Sequence, residues 1–275
     1  MEGTARRQGD RYVVSDEEIA AFRRDGYVHL RGVLSDEELA ALEVDYERLI
    51  HGEIPVEGKD YCDMAGDYAR ARDEYSIINV MLPRKYHSAW QGNILERRSA
   101  SIAAQLQGEG LELDYDQLLA KRPGKADAVF AWHQDLAYWP VTPDVRTATI
   151  WCAFDDSTVE NGCMRFVPGS HREPRLRPHR PITGDREESH TLVAAVDEAV
   201  DPIRCVEIAR GDVTVHDERV IHGSGGNTSE RWRRAYIVAF RAAETVAWER
   251  AHGFTHSHND APDVLDGVGF ARDSL

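Results

Sequence analysis

Two side chains with metal-ligand chemistry, His133 and Asp135, stand two positions apart in Trp132-His133-Gln134-Asp135. In extended backbone, residues i and i+2 point to the same side, so the imidazole and the carboxylate converge while Gln134 turns away. His222, in His222-Gly223-Ser224-Gly225, supplies a second imidazole from far along the chain. Two histidines and one carboxylate on one face of a metal leave other positions open. That is the facial arrangement of non-haem Fe(II) oxygenases, whose open positions take a co-substrate and O₂. A His-x-Asp pair alone recurs by chance. Followed by a distal histidine, and by an arginine eleven residues beyond it, the pattern is far more specific. An Asp flanked by Trp132 and Leu136 is half-buried, which is costly unless it is paired or metal-bound. His216, six residues before His222, competes for the third ligand position. The small residues after His222 favour His222, because they leave room beside a ligand.

The arginine is Arg233. A 2-oxo acid that chelates iron carries a distal carboxylate, and a guanidinium matches a carboxylate in bidentate geometry. Arg231 and Arg234 are neighbours, so strand faces decide among the three. Arg233 shares its face with Ala235, Ile237 and Ala239, which leave space; Arg234 shares its face with Tyr236, Val238 and Phe240.

Elements that could position these residues are readable in order. Ser15-Asp16-Glu17-Glu18 and Ser35-Asp36-Glu37-Glu38 are capping boxes that start two helices. Tyr27 to Leu30 reads as a short strand between them, and Leu39, Leu42, Tyr46, Leu49 and Ile50 recur at helical spacing. Polar residues 51–74 read as a long loop and 86–107 as a helix. Strands are expected at Leu111–Lys121, Arg146–Phe154, Cys163–Val167, Ile203–Ile208, Val213–His216 and Arg234–Arg241, with Asn161-Gly162 as a turn and 171–190 as a second loop. Short strands with Gly and Pro punctuation indicate a sandwich or jelly roll rather than a βαβ fold. One catalytic domain over 1–275 follows: helical support at about 15–107, a jelly-roll core at about 111–241 and a C-terminal tail at 242–275.

With 42% hydrophobic and 29% charged residues, the 275-residue chain reads as a globular enzyme. A formal net charge of -15 argues against nucleic acid or an anionic membrane as partner. Cys62, Cys152, Cys163 and Cys205 show no CxxC spacing and read as reduced thiols. No secretory signal and no membrane span is visible, so the expectation is a cytoplasmic protein.

Taken together, Trp132-His133-Gln134-Asp135-Leu136, Asn161-Gly162-Cys163, Val167-Pro168-Gly169-Ser170-His171 and His222-Gly223-Ser224-Gly225-Gly226-Asn227 with Arg233 resemble the phytanoyl-CoA dioxygenase family of Fe(II)/2-oxoglutarate oxygenases. The resemblance runs from about Phe22 to Phe240. It implies a mainly β fold with flanking helices, a cupin-like double-stranded β-helix. It implies iron on His133, Asp135 and His222, and 2-oxoglutarate held by Arg233. It also implicates Trp151 and Ser224 in holding the co-substrate; Gln117 is a further polar candidate. His171 reads as a turn residue and not as a ligand. Asp135 is present, where halogenating relatives lack the carboxylate, so halogenation is not expected.

What the resemblance implies for the reaction is O₂-driven decarboxylation of 2-oxoglutarate, coupled to attack on a substrate C–H bond. Hydroxylation, epimerisation, desaturation or cyclisation follows, and the motifs do not say which. The expected substrate is a small molecule, in first place a bacterial natural product such as a polyketide antibiotic. A CoA thioester is the alternative, and a non-catalytic jelly-roll binder or a zinc hydrolase remains a different class. Trp132, Tyr138 and Trp139 offer flat apolar surface for a cyclic substrate. Six arginines lie between 165 and 186, a local excess that could meet phosphates.

Overall fold

The computed structural model describes residues 5–140, 142 and 144–256. Both serine-led helix starts form. Ser15 caps the helix Asp16–Asp25 and Ser35 caps Asp36–Ile50. In each, the serine hydroxyl accepts from the N–H of the glutamate three residues on, and that carboxylate accepts from the serine N–H. Each serine cap is worth about 1 kcal/mol. Gly26 ends the first helix at φ 81° and donates to the Phe22 carbonyl at 2.8 Å. His171 lies against this helix end, its Nε2 3.2 Å from the Arg23 carbonyl oxygen.

Seven strands make the main sheet, in spatial order Tyr27–Leu30, Val213–His216, Thr147–Ala153, Arg233–Ala242, Leu111–Lys121, Ile77–Met81 and Tyr61–Asp63. Four make a smaller sheet: Arg204–Val206, Met164–Phe166, His222–Ser224 and Phe130–His133. Neighbours pair antiparallel in both. Alternation gives the main sheet two unlike faces. Ile150, Cys152, Val215, Tyr236 and Val238 pack on the helices through Leu39, Tyr46, Leu49 and Ile102. Trp151, Ala153, Ala235 and Ile237 face inward, against Met164 and Phe166 of the smaller sheet. Two sheets enclosing an interior between them, with helices on one outer face, are the expected jelly roll.

The strand Leu111–Lys121 switches faces part-way. Tyr115 is the partner of Ala239 and Leu113 of Phe240, so Asp114 is an extra residue on this strand. Such a bulge reverses the alternation beyond it. Leu111 and Leu113 therefore pack with the helices, whereas Tyr115, Gln117 and Leu119 face inward.

Three stretches differ from expectation. Within 86–107 the helix covers only Ile94–Gln107, because Gly92 takes φ 67° and Asn93 caps the helix by accepting from the Glu96 N–H. Residues 51–74 contain Tyr61–Asp63, which pairs with Ile77–Met81. Residues 171–190 contain His179–Pro181, which pairs with Leu192–Ala194. Both had read as loops because pairs this short leave no periodic signal. The tail expected at 242–275 opens with a helix, Ala243–Ala251; its part beyond 256 lies outside the described residues. Cys62, Cys152 and Cys163 are buried, Cys205 is exposed, and none is in a disulfide. No described helix is long and apolar enough to cross a membrane.

Candidate active site

His133 ends its strand as the cross-strand partner of His222, and the two rings lie 4.1 Å apart between centroids. Gln134 is extended (φ -124°, ψ 128°), so Asp135 comes back to the side of His133. The Gln134 side chain turns the other way. It is fully buried, donates to the Arg219 carbonyl at 2.6 Å and accepts from the Arg177 N–H at 2.9 Å. One donor atom from each of His133, Asp135 and His222 lies within 4.8 Å of the others. Asp135 Oδ1 stands 3.3 Å from His133 Nε2 and 3.5 Å from His222 Nε2.

Both rings are fixed from behind. His133 Nδ1 lies 2.8 Å from the Ala131 carbonyl oxygen and His222 Nδ1 3.0 Å from that of Val220. Donation from Nδ1 leaves each Nε2 lone pair facing inward, the form a metal binds. Burial, with His133 and His216 nearby, pushes His222 well below the ordinary histidine range, towards the neutral ring. Burial alone would raise the Asp135 carboxyl. The three histidines around it, His222, His133 and His216, outweigh burial and hold the Asp135 carboxyl well below the ordinary carboxylate range. Neutral imidazoles beside an ionised carboxylate are the ligating forms. His216, the competing ligand, also reaches Asp135, Nε2 to Oδ2 at 3.3 Å, but does not join the three-residue donor set.

Arg233 is buried at the other end of the same interior, its guanidinium carbon 5.1 Å from the Trp151 ring centroid. Its Nη2 reaches Ser224 Oγ at 3.4 Å, while Nε and Nη1 are buried without a hydrogen-bond partner. The Trp151 Nε1 is likewise buried and unpartnered. Arg234 faces outward and pairs with Asp155, Glu43 and Glu47, as the strand-face argument required. A second cation escaped notice in the sequence: Lys121, fully buried, is the cross-strand partner of Arg233 and donates to Ser224 Oγ at 2.7 Å. Among the described residues, neither Lys121 nor Arg233 has an ion-pair partner. Burial, and each other's charge, lower Lys121 well below the ordinary amine range; burial lowers Arg233 to about 10. Unpaired buried donors of this kind call for an anion, and a dicarboxylic 2-oxo acid reaching from the triad would satisfy them.

A cavity joins the two ends. Gln117, Trp151 and Ser224 line it, and Gln117 donates to Asn79 at 2.6 Å. Tyr138 and Trp139 line it beside Met81, Tyr115, His190 and His256. Trp132 does not. It precedes His133 on a strand, so it faces the opposite way, packing on Val167 and Ile221 and donating to Glu198 at 2.8 Å. Two arginines of the Arg-rich stretch are paired within the fold: Arg177 grips Glu173 and Asp201, and Arg165 lies over Trp132 and pairs with Glu198. The glycines after His222 also have another cause than space for a co-substrate. A Cβ on Gly226 would collide with the Ala126 backbone, and one on Gly162 with the Gly225 carbonyl. Close backbone approach requires them.

Known proteins share this chain's sequence pattern and fold. The sequence matches the phytanoyl-CoA dioxygenase family over residues 22–235. It is 29% identical, over 81% of this chain and 76% of the other, to a probable alpha-ketoglutarate-dependent hypophosphite dioxygenase of Stutzerimonas stutzeri. The fold superposes on EvdO2 from Micromonospora carbonacea var. aurantiaca with TM-score 0.66 and 32% identity, covering 84% of this chain and 92% of that one; EvdO2 has also been crystallised with 2-oxoglutarate. The carbocyclase SnoK from nogalamycin biosynthesis superposes with TM-score 0.65 and 28% identity, covering 84% and 85%. With its buried His-Asp-His donor set, the chain belongs to the phytanoyl-CoA dioxygenase family and is an Fe(II)/2-oxoglutarate-dependent oxygenase.

Proposed function

We propose that this enzyme oxidises a C–H bond of an uncharged, ring-containing small molecule as a tailoring step on a bacterial natural product. In this reading His133, Asp135 and His222 hold Fe(II), and Arg233 binds the distal carboxylate of 2-oxoglutarate with Lys121 and Ser224. Trp151 and Gln117 bound the co-substrate's space. The bound iron and co-substrate supply O₂-driven decarboxylation coupled to C–H oxidation; the chain's residues hold, orient and shield the reactants. Tyr115, Tyr138 and Trp139 offer flat faces for a ring system.

The reading rests above all on the charge of the cavity wall. Among the described residues, the charges that line it are Asp135 and Arg233, assigned like the neighbouring Lys121 to iron and co-substrate. A phosphorus oxyanion such as hypophosphite would find no further Lys or Arg among those lining residues, which supports a substrate different in kind from that of the Stutzerimonas relative. EvdO2 and SnoK, whose folds superpose on this one, support a natural-product substrate. Ring closure, epimerisation and hydroxylation all begin with the same hydrogen removal, and the wall that meets the substrate radical selects among them.

The test is anaerobic reconstitution with Fe(II) and 2-oxoglutarate, read by the visible charge-transfer band, followed by O₂ and candidate substrates. Succinate release should be stimulated by a neutral polycyclic quinone or its glycoside, and not by hypophosphite or an acyl-CoA. Stimulation by either anion, with none by the polycycles, would overturn the substrate reading and leave the enzyme class standing.

A further inference from the structure

The two oxygens of Asp135 have different neighbours. Oδ1 is the oxygen that both His133 Nε2 and His222 Nε2 approach, at 3.3 and 3.5 Å. Oδ2 faces His216 Nε2 at 3.3 Å. His216 is buried, and its other nitrogen, Nδ1, has no hydrogen-bond partner. Asp135 is therefore the one polar side chain among the described residues that this ring is seen to hydrogen-bond. The ring is held in place on two sides. It lies 4.3 Å from the His222 ring and 5.9 Å from that of Phe166, on a strand paired with both Tyr27–Leu30 and Thr147–Ala153.

We infer that His216 is a positioning residue for the metal site: its Nε2–H donates to Asp135 Oδ2 and so keeps that oxygen off the metal. The inference rests on the assignment of iron to His133, Asp135 and His222. A carboxylate left free can turn and ligate through both oxygens. One anchored at Oδ2 presents only Oδ1, the oxygen shared with the two ligand rings. The chain then supplies three donor atoms and not four, and the position a fourth would fill stays available to 2-oxoglutarate. Hydrogen bonds to a ligating carboxylate also fix its orientation, and their loss commonly weakens metal affinity 10–100-fold.

The experiment titrates Fe(II) under anaerobic conditions into the wild type, His216→Ala, His216→Gln and His222→Ala, with Mn(II) as a redox-silent second probe, and then titrates 2-oxoglutarate into each iron complex. His216→Ala should still bind one metal ion, about 10–100-fold more weakly. Its charge-transfer band should be displaced and should need more 2-oxoglutarate to saturate. His216→Gln, whose amide can donate to the same oxygen, should recover most of the wild-type affinity and band position. Melting temperatures of the metal-free variants separate a folding defect from a local one. Wild-type affinity and band in His216→Ala overturn the proposal, as does a Gln variant as impaired as Ala. If His216→Ala loses the metal and His222→Ala keeps it, His216 is itself the ligand and the positioning role is wrong. A wild type that binds no iron, in contrast, defeats the assignment of the site.

Discussion

Lys121 and Arg233 are cross-strand partners whose side chains meet at one hydroxyl, Ser224 Oγ, at 2.7 and 3.4 Å. Burial lowers both from their ordinary ranges, and the charge of Arg233 lowers Lys121 further. An anion between them would relieve the repulsion and satisfy the two unpartnered nitrogens of Arg233.

Arg233→Gln should therefore weaken 2-oxoglutarate strongly and leave iron binding intact. Truncating one partner of a buried charged hydrogen bond costs roughly 2–5 kcal/mol, or about 30-fold upward in affinity. Lys121→Met should cost less, about tenfold, since the amine is partly driven neutral before the co-substrate arrives. Binding the anion should then take up a proton at Lys121, so affinity in the wild type should fall from pH 7 to pH 9. Titration of the charge-transfer band at both pH values measures each effect. A pH slope retained in Lys121→Met would assign the proton to another group.

His133→Ala, Asp135→Ala and His222→Ala should each abolish iron-dependent turnover without unfolding the chain. The core beneath them is apolar and continuous, and His133 and His222 are each held by a local backbone carbonyl. Circular dichroism and iron stoichiometry would check both halves. A His222→Ala protein with full turnover would transfer the ligand role to His216.

Much of this was legible in the sequence, for identifiable reasons. Capping boxes are local chemistry, so both helix starts were readable from four residues each. The strand of Arg233 alternates cleanly between small and bulky residues, which distinguished it from Arg234. Trp132 was misread, although the same period-2 rule that brought His133 and Asp135 together turns the residue before His133 away. Lys121 was missed because a lysine followed by Arg122-Pro123-Gly124 looks like a strand running out into solvent; only its pairing with Arg233 buries it. The bulge at Asp114 had no signal either. It is set by the partner strand and by the ion pair of Asp114 with Arg241 at 2.9 Å, which are long-range facts. Without that bulge Tyr115 and Gln117 would face the helices.

Acid should loosen the site through His179. Its Nε2 accepts the backbone N–H of Gln134, between His133 and Asp135, at 3.1 Å, which requires the neutral ring. Burial lowers His179 from 6.5 to about 4 in the fold. The unfolded chain binds the proton first, so this contribution is complete above about pH 6.5 and is lost as pH falls towards 4. At most it amounts to about 3 kcal/mol. His179→Leu should be less stable at pH 7, and its melting temperature should fall less steeply between pH 6.5 and pH 4. Parallel curves for the two proteins would remove His179 as the titrating group.

The last prediction concerns the covering of the cavity. Residues 51–74 and 171–190 were expected to be two loops, yet they, with Thr191, are stitched together. Tyr68 N–H donates to the Glu188 carbonyl at 2.9 Å, Ser189 Oγ to that of Gly66 at 3.0 Å, and Thr191 Oγ1 to that of Met64 at 3.0 Å. One residue ties this cover to the site. Tyr138 lines the cavity, stacks on His190 at 4.8 Å and accepts the Leu192 N–H at 2.8 Å on its hydroxyl. Tyr138→Phe keeps the ring and removes only that acceptor, leaving a buried N–H unpaired at a cost of about 1–3 kcal/mol, local to the cover. Hydrogen exchange at residues 182–192 should rise, while iron and 2-oxoglutarate affinities stay within about twofold of wild type, because no ligand of either is touched. An opened cover admits water to the reaction. More succinate should then form per product molecule, and this ratio should respond more than the succinate rate itself. Unchanged exchange in this segment, or a loss of 2-oxoglutarate affinity as large as that of Lys121→Met, would mean that Tyr138 acts within the co-substrate site and not through the cover.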